Sequence, residues 1–311
     1  MSTSTNKSYK SAFIFLTTLF FLWGFITVFV DPLIPRLKEV FELSNFESGL
    51  VQFAFFGAYF LLSIPTGFIL SKIGYKKGII LGLIIMGIGC LLFYPAASSR
   101  IYIVFLLAVF VLASGMTILQ VAANPYVATL GSEEGASSRL NLSQAFNSLG
   151  TAIAPTVGAM FILSDKIKTG DEITLLNEVD KETYFIAEAS NVQLPFVAIG
   201  LFTLVLALVF VFVKLPKLMG KVPDGGYKTL LKNSSFMKGA FGIFVYVGAE
   251  VAIGSYLVLY FLDMDLAEAV RNSSVMRGIS ESLLGTDLAN LDSKAIVGAF
   301  VTFYWSGAMI G

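Results

Sequence analysis

Long runs of apolar residues, separated by short polar segments, dominate the chain. Seven of these runs reach the roughly 20 residues that an α-helix needs to cross a bilayer. The predicted spans are Ala12–Ile34, Leu50–Leu70, Gly78–Ala97, Ile101–Val127, Leu140–Leu163, Leu194–Val213 and Gly239–Leu262. An eighth run begins at Ala295 and is still apolar at Gly311, so we expect a truncated chain.

A lysine-rich connection after the sixth span divides the pattern into two halves. We expect an N-terminal six-helix bundle over residues 1-213 and a basic cytoplasmic linker over 214-238. Residues 239-311 would then begin a second bundle that is incomplete. The predicted fold class is an all-α polytopic membrane protein.

Composition supports a membrane protein and removes several kinds of chemistry. Charged residues make up only 14% of the 311 residues, against roughly 25% in soluble domains. The absence of histidine excludes His-based acid–base catalysis and His metal sites. The single cysteine, Cys90, provides neither an internal disulfide nor a zinc cluster. A formal net charge of zero argues against nucleic acid, and no metal or cofactor is expected.

Lysine and arginine are unevenly distributed between the two sets of connections. Residues 214-238 contain six lysines and one aspartate, and the connection after the second span contains Lys72, Lys76 and Lys77. Residues 165-188 have seven acids and three lysines. Because basic residues in short loops mark the cytoplasmic side, the pattern predicts a multi-pass plasma-membrane protein with a cytoplasmic N-terminus.

Two acidic residues lie inside or at the edge of the predicted spans. Glu250 is near the middle of its span, where an ionised carboxylate facing lipid would cost several kcal/mol. We expect it to face a polar cavity, to be protonated, or to hydrogen-bond to another helix. Asp31 precedes Pro32, which disfavours helical geometry at Asp31. Asp31 lies either at the outer interface or at a broken helix that lines a cavity.

Neutral amides and aromatic rings within the spans indicate a site for a ligand rich in hydroxyl groups. Amides pair with hydroxyls, and ring faces cover the apolar side of a sugar. Hydrogen bonding between helices is the alternative role. The candidates are Gln52, Gln120, Asn124, Asn141, Gln144 and Asn147, with Trp23 and Thr27 on one face of the first span.

Two backbone features accompany these side chains. Pro125 directly follows Asn124 and is expected to end the fourth helix there. Gly150, Ala154 and Gly158 have a small-residue spacing that allows another helix to approach closely.

The segment GFILSKIGYKKG, between the second and third spans, resembles the loop motif of the major facilitator superfamily. Gly67 and Gly74 match its glycines, and Lys72, Lys76 and Lys77 match its basic positions. Further segments resemble the fucose permease and bacterial glucose/galactose transporter family within that superfamily. These are FFLWGFITVFVDPLIP, FGAYFLLSIPTG, LQVAANPYVATLG, RLNLSQAFNSLG and YVGAEVAIGSYL.

The resemblance implies twelve helices in two six-helix bundles with a central sugar cavity. It also implies sugar transport coupled to a cation, with H⁺ favoured over Na⁺, across a bacterial inner membrane. Asp31 matches the acid of the family's first span, while Gln120 and Glu250 match its glucose/galactose branch. Asp31 and Glu250 are therefore the candidates for proton coupling. Ser71 stands where the loop motif usually has aspartate.

The predicted function is secondary active transport of a monosaccharide such as glucose, galactose or fucose. A membrane sugar receptor that does not transport, or a carrier of another small polar solute, remains as an alternative. An enzyme embedded in the membrane would need a cluster of His, Cys or paired acids at one depth, which this sequence lacks. With its second bundle incomplete, the 311-residue chain is not expected to transport by itself.

Overall fold

A computed structural model describes most of the chain. The described residues are 2-30, 43-162, 170-213, 215-216, 218, 226-285, 287-290, 293, 296-297, 300, 304 and 306-307. Contacts divide the chain into two compact units, Met1–Gly220 and Lys221–Gly311.

Long helices make up nearly all of the described part of the first unit. They are α1 Ser2–Phe29, α2 Asn45–Ile73, α3 Tyr75–Ser99, α4 Tyr102–Thr129, α5 Ala136–Ile162, the short α6 Gly170–Thr174, and α7 Glu178–Phe212. Five described stretches are long and apolar enough to cross a membrane. These are Ala12–Phe29, Gly49–Ile73, Tyr75–Ser99, Tyr102–Thr129 and Glu178–Phe212.

The long helices pack in pairs that are distant in sequence. α1 packs against α5, α2 against α4, and α3 against both α4 and α7. Glycines make the α1–α5 crossing close, because a Cβ on Gly24 would clash with the main chain of Asn147. A Cβ on Gly150 would likewise clash with the main chain of Phe21. The predicted close approach is confirmed at Gly150.

Pro125 does not end α4, so that prediction is wrong. The helix continues to Thr129, whose hydroxyl donates to the carbonyl oxygen of Pro125 at 3.0 Å. Tyr126 and Val127, which directly follow Pro125 in the helix, are almost fully buried. Proline is tolerated in membrane helices where neighbouring helices and Ser/Thr side chains compensate for the altered hydrogen bonds.

α7 begins well before the predicted start at Leu194. Its N-terminal residue Glu178 follows Asn177, whose side chain accepts a 2.8 Å hydrogen bond from the Asp180 main chain. This cap and the acidic first turn stabilise the helix N-terminus. Arg100 at the α3–α4 turn pairs with Glu182 at 3.1 Å. A polar stretch predicted as a connection is therefore largely helical.

The second unit has one long helix and several short ones among its described residues. They are α8 Gly226–Lys232, α9 Ser234–Asp263, α10 Leu266–Asn272, α11 Ser274–Leu284 and a 3₁₀ turn Leu288–Asn290. Its described core comprises Ala267, Val270, Leu288, Ile296 and Val297. Side chains over residues 229-249 are exposed.

Candidate functional site

A hydrogen bond between two side chains joins α2 and α4 in the interior of the first unit. Gln120 donates from Nε2 to the phenol oxygen of Tyr59 at 2.9 Å. Both residues are half-buried. The amide also carries a carbonyl acceptor and the phenol an O–H donor. This α2–α4 polar pair, Gln120 and Tyr59, can therefore present both kinds of group to a ligand.

Aromatic rings flank the α2–α4 polar pair. The ring of Tyr59 lies 5.5 Å from that of Phe55 and 6.4 Å from that of Phe56, measured between centroids. Gln52 is exposed two turns earlier on the same face of α2. Amide and aromatic groups thus occur together, as expected for a sugar site. Sequence reasoning missed Tyr59, although its seven-residue spacing from Gln52 on a helix was a usable signal.

Asn124 lies one helical turn beyond Gln120 on α4. Its side-chain oxygen Oδ1 is buried and has no hydrogen-bond partner among the described residues. Leaving a buried acceptor unsatisfied costs about 1–3 kcal/mol. A ligand hydroxyl or a water molecule that donates to Oδ1 would recover this free energy.

The first-span candidates serve packing and helix geometry. Trp23 is only 5% exposed and belongs to the buried core. Its ring centroid lies 4.3 Å from that of Phe20. The hydroxyl of Thr27 donates to the main-chain oxygen of Trp23 at 2.7 Å. A ligand-binding role for Trp23 and Thr27 stays a prediction.

Candidates on α5 differ in their surroundings. Asn147 donates from Nδ2 to the main-chain oxygen of Phe20 at 3.1 Å, which adds a hydrogen bond to the α1–α5 crossing. Asn141 and Gln144 are exposed on the same helix. Asn147 therefore has the interhelical role that polar groups often have in membrane proteins, while the exposed pair is open to solvent or ligand.

The two candidate coupling acids are known in different detail. Asp31 lies outside the described residues, and α1 ends at Phe29. Glu250 is half-buried on α9, and its main-chain oxygen accepts a 3.2 Å hydrogen bond from Tyr304. Across the described part of the chain, no three His, Cys, Asp or Glu residues lie close enough to hold a metal ion.

The loop motif between α2 and α3 contacts the end of α7. Gly74 separates the two helices with a positive φ of 82°, which favours glycine. Lys76 Nζ donates to the main-chain oxygen of Val211 at 2.8 Å, where a helix C-terminus attracts a cation. Lys72 and Lys77 are exposed, while Gly67 is half-buried. One of the three motif lysines thus fixes this loop to the last turn of α7.

Comparison with known proteins decides the family. Residues 11–310 match the family model described as Major Facilitator Superfamily. The chain belongs to this superfamily. Members of the superfamily are membrane transporters and not enzymes. The predictions that the chain is a membrane protein and that it is not an enzyme are therefore confirmed. The chain is therefore a multi-pass membrane protein.

Curated relatives place the chain more narrowly. It is 46% identical to the glucose/galactose transporter of Brucella abortus biovar 1 (strain 9-941), over 99% of this chain and 67% of that protein. It is 35% identical to the L-fucose-proton symporter of Escherichia coli (strain K12), over 83% of this chain and 61% of that protein. The chain belongs to the fucose permease and glucose/galactose transporter family, and it spans about two thirds of the length of these relatives.

A solved structure gives the same fold. A crystal structure of the E. coli fucose:proton symporter matches with a TM-score of 0.73 and 34% identity. The match covers 82% of this chain and 64% of that chain. The all-α major facilitator fold predicted from the sequence is confirmed over this length.

Proposed function

We propose that this chain belongs to a secondary active carrier of a hexose, glucose or galactose, driven by H⁺ symport. The observation that carries the proposal is the α2–α4 polar pair, an amide bonded to a phenol among aromatic rings. The 46% identity to a glucose/galactose transporter supports a sugar as the ligand of this pair. The sugar would be bound alternately from the two sides of the membrane.

The candidate residues divide into those that bind the sugar, those that shape its site and those that control the change of conformation. Gln120 and Tyr59 bind sugar hydroxyls, and Asn124 accepts from another hydroxyl through its buried Oδ1. Gln52, Asn141 and Gln144 are further hydroxyl partners, while Asn147, Trp23 and Thr27 shape the site from α1 and α5. The loop motif residues Gly67, Lys72, Gly74, Lys76 and Lys77 control the change of conformation.

Proton coupling is assigned to Asp31, with Glu250 as a second coupling or sugar-accepting group. A carboxyl at membrane depth changes charge when it binds a proton, and this change can favour one conformation over the other. The name of the E. coli relative supports H⁺ as the coupling ion. The distribution of lysines supports a cytoplasmic N-terminus, with 1-213 as the first bundle and 214-238 as a cytoplasmic linker.

Counterflow of labelled galactose into proteoliposomes tests the function, using the protein expressed from its complete reading frame. We expect exchange that unlabelled glucose and galactose inhibit more strongly than L-fucose does. Stronger inhibition by L-fucose would shift the proposal to a fucose carrier. Saturable sugar binding without counterflow would identify a receptor and contradict the proposal.

Two single variants in the α2–α4 polar pair and one control variant test the site. Gln120→Ala and Tyr59→Phe should each raise the sugar concentration for half-maximal exchange about three- to tenfold, the range for a lost hydrogen bond. Gln193→Ala is the control, because this α7 amide bonds to Ser98 and Tyr94 on α3, away from the proposed site. Equal effects of all three variants would contradict the proposal that the sugar site lies on α2 and α4.

A further inference from the structure

The segment over residues 226-238 combines basic and apolar side chains at the start of α9. Its charged residues are Lys228, Lys232 and Lys238, and the sequence has no acid over residues 225-249. The segment is therefore purely cationic. This charge plays no part in the sugar chemistry proposed above.

Exposed apolar side chains lie among these lysines. Leu231 is 62% exposed and Phe236 is 46% exposed, and Leu230 and Met237 also exceed 40%. Contiguous exposed apolar side chains in a folded protein mark a surface that contacts a membrane or a partner. Lysine stems can extend along the same surface while their ammonium groups stay in water.

The backbone fixes this segment at the N-terminal end of α9, where the predicted membrane span begins. Only Asn233 separates α8 from α9; its N–H donates to the Leu230 carbonyl at 2.9 Å. Its side chain accepts from the Phe236 N–H at 3.1 Å and so caps α9. The predicted span of α9 begins at Gly239, so α8 lies within a few residues of the point where the helix enters hydrocarbon.

We propose that residues 226-238 bind the anionic headgroups of membrane phospholipids. Charge complementarity selects this partner, because lysine clusters beside a membrane helix are attracted to anionic lipid surfaces. The Leu, Phe and Met side chains would enter the boundary between headgroups and acyl chains, as in amphipathic interfacial segments. With the proposed topology, this is the cytoplasmic leaflet.

A fluorophore attached on α8 tests the proposal in the whole chain. Thr229 is exposed and Cys90 is fully buried, so Thr229→Cys offers one accessible thiol for an environment-sensitive dye. The labelled protein is placed in nanodiscs of phosphatidylcholine with increasing phosphatidylglycerol. We expect the emission to shift to the blue as phosphatidylglycerol rises, and high salt to reverse the shift because it screens exposed charges.

Two double variants separate local charge from total charge. Lys232→Gln with Lys238→Gln should raise the phosphatidylglycerol fraction needed for the half-maximal shift severalfold. Lys181→Gln with Arg271→Gln removes two positive charges elsewhere in the chain and should leave that fraction unchanged. Equal emission with and without phosphatidylglycerol would overturn the proposal. This includes emission that is already blue in phosphatidylcholine alone because protein covers the segment. An equal response of the two variants would overturn it as well.

Discussion

The two units of the chain differ in what surrounds their long helices. In the first unit, α3 and α4 lie in a continuous core that includes fully buried Phe93, Met86 and Leu112. In the second unit, α9 is exposed over most of its described side chains, with Phe244 at 73%. Both regions carry long apolar runs in sequence. Apolar pattern alone therefore predicts a membrane helix and does not predict how much of that helix the rest of this chain covers.

The largest expected effect comes from one glycine substitution made in each unit. Gly150→Leu would place a side chain against the main chain of Phe21 in α1, at a crossing that cannot open without separating the helices. We expect a loss of about 3 kcal/mol or more, or failure to fold. Thermal unfolding in detergent, with size-exclusion chromatography for homogeneity, measures it.

Gly242→Leu is the matched change in the second unit. Among the described residues, no atom lies within 4 Å of a Cβ built on Gly242. We expect an unchanged unfolding temperature. Similar losses from both glycine variants would show that the two units are packed alike, contrary to the comparison.

Polar side-chain pairs should show the next largest difference. Tyr59→Phe leaves the half-buried amide of Gln120 without its phenol partner, which should cost about 1–2 kcal/mol of unfolding free energy. A double-mutant cycle with Gln120→Ala isolates the coupling between them. In the second unit, Arg277→Gln breaks exposed pairs with Glu281 and Asp287, and we expect no measurable change. A larger loss from the Arg277 variant would reverse the comparison.

Helix caps provide a smaller and more local test. The Ser44 side chain accepts from the Glu47 main chain, and the Glu47 carboxylate accepts from the Ser44 N–H. Ser44→Ala should destabilise the start of α2 by about 1 kcal/mol. Asn233→Ala removes the corresponding cap of α9. Hydrogen exchange at the first turn of each helix should rise in both variants. No rise in either variant would show that the caps do not stabilise these helix N-termini.

The capping carboxylate also predicts a pH dependence. Hydrogen bonds from the Ser44 main chain and then its hydroxyl hold the pKa of Glu47 below its ordinary value of 4.5. Because the folded-state pKa is lowered, the stabilisation is present above pH 4.5 and is lost as pH falls through the lowered value. Protection of the first turn of α2 should fall over that acid range in the native chain. Ser44→Ala should weaken this dependence, because the hydroxyl is lost while the main-chain N–H of residue 44 still donates to Glu47. Glu47→Gln should abolish it, and a dependence unchanged in Glu47→Gln would contradict the assignment.

The smallest expected effect distinguishes neighbouring lysines in the α2–α3 loop. Lys76→Met removes the hydrogen bond to the Val211 oxygen and should cost about 0.5 kcal/mol or less. Lys77→Met removes the same charge from an exposed side chain and should change nothing. Exchange of the amide groups at the end of α7 is the readout, and equal exchange in both variants would show that the bond has no role.

Sequence reasoning identified the long helices and the family, because a bilayer demands about 20 apolar residues and the motifs are local. The apolar pattern does not locate the helical start of α7, because charged residues such as Asp180 and Glu188 interrupt it there. The prediction that Pro125 ends α4 is wrong, because the apolar pattern does not show that the residues after Pro125 are buried against other helices. The bond between Tyr59 and Gln120 joins residues 61 positions apart, and only packing reveals such a pair.

Proton-driven galactose uptake by the complete-reading-frame protein in proteoliposomes tests the central claim most directly. The account predicts that an inward H⁺ gradient accelerates uptake, and that an Na⁺ gradient alone does not. Asp31→Asn should abolish this acceleration while counterflow persists, and Glu250→Gln should alter sugar affinity or pH dependence. Uptake that is indifferent to the H⁺ gradient, or equally pH-dependent in the native protein and both variants, would contradict it.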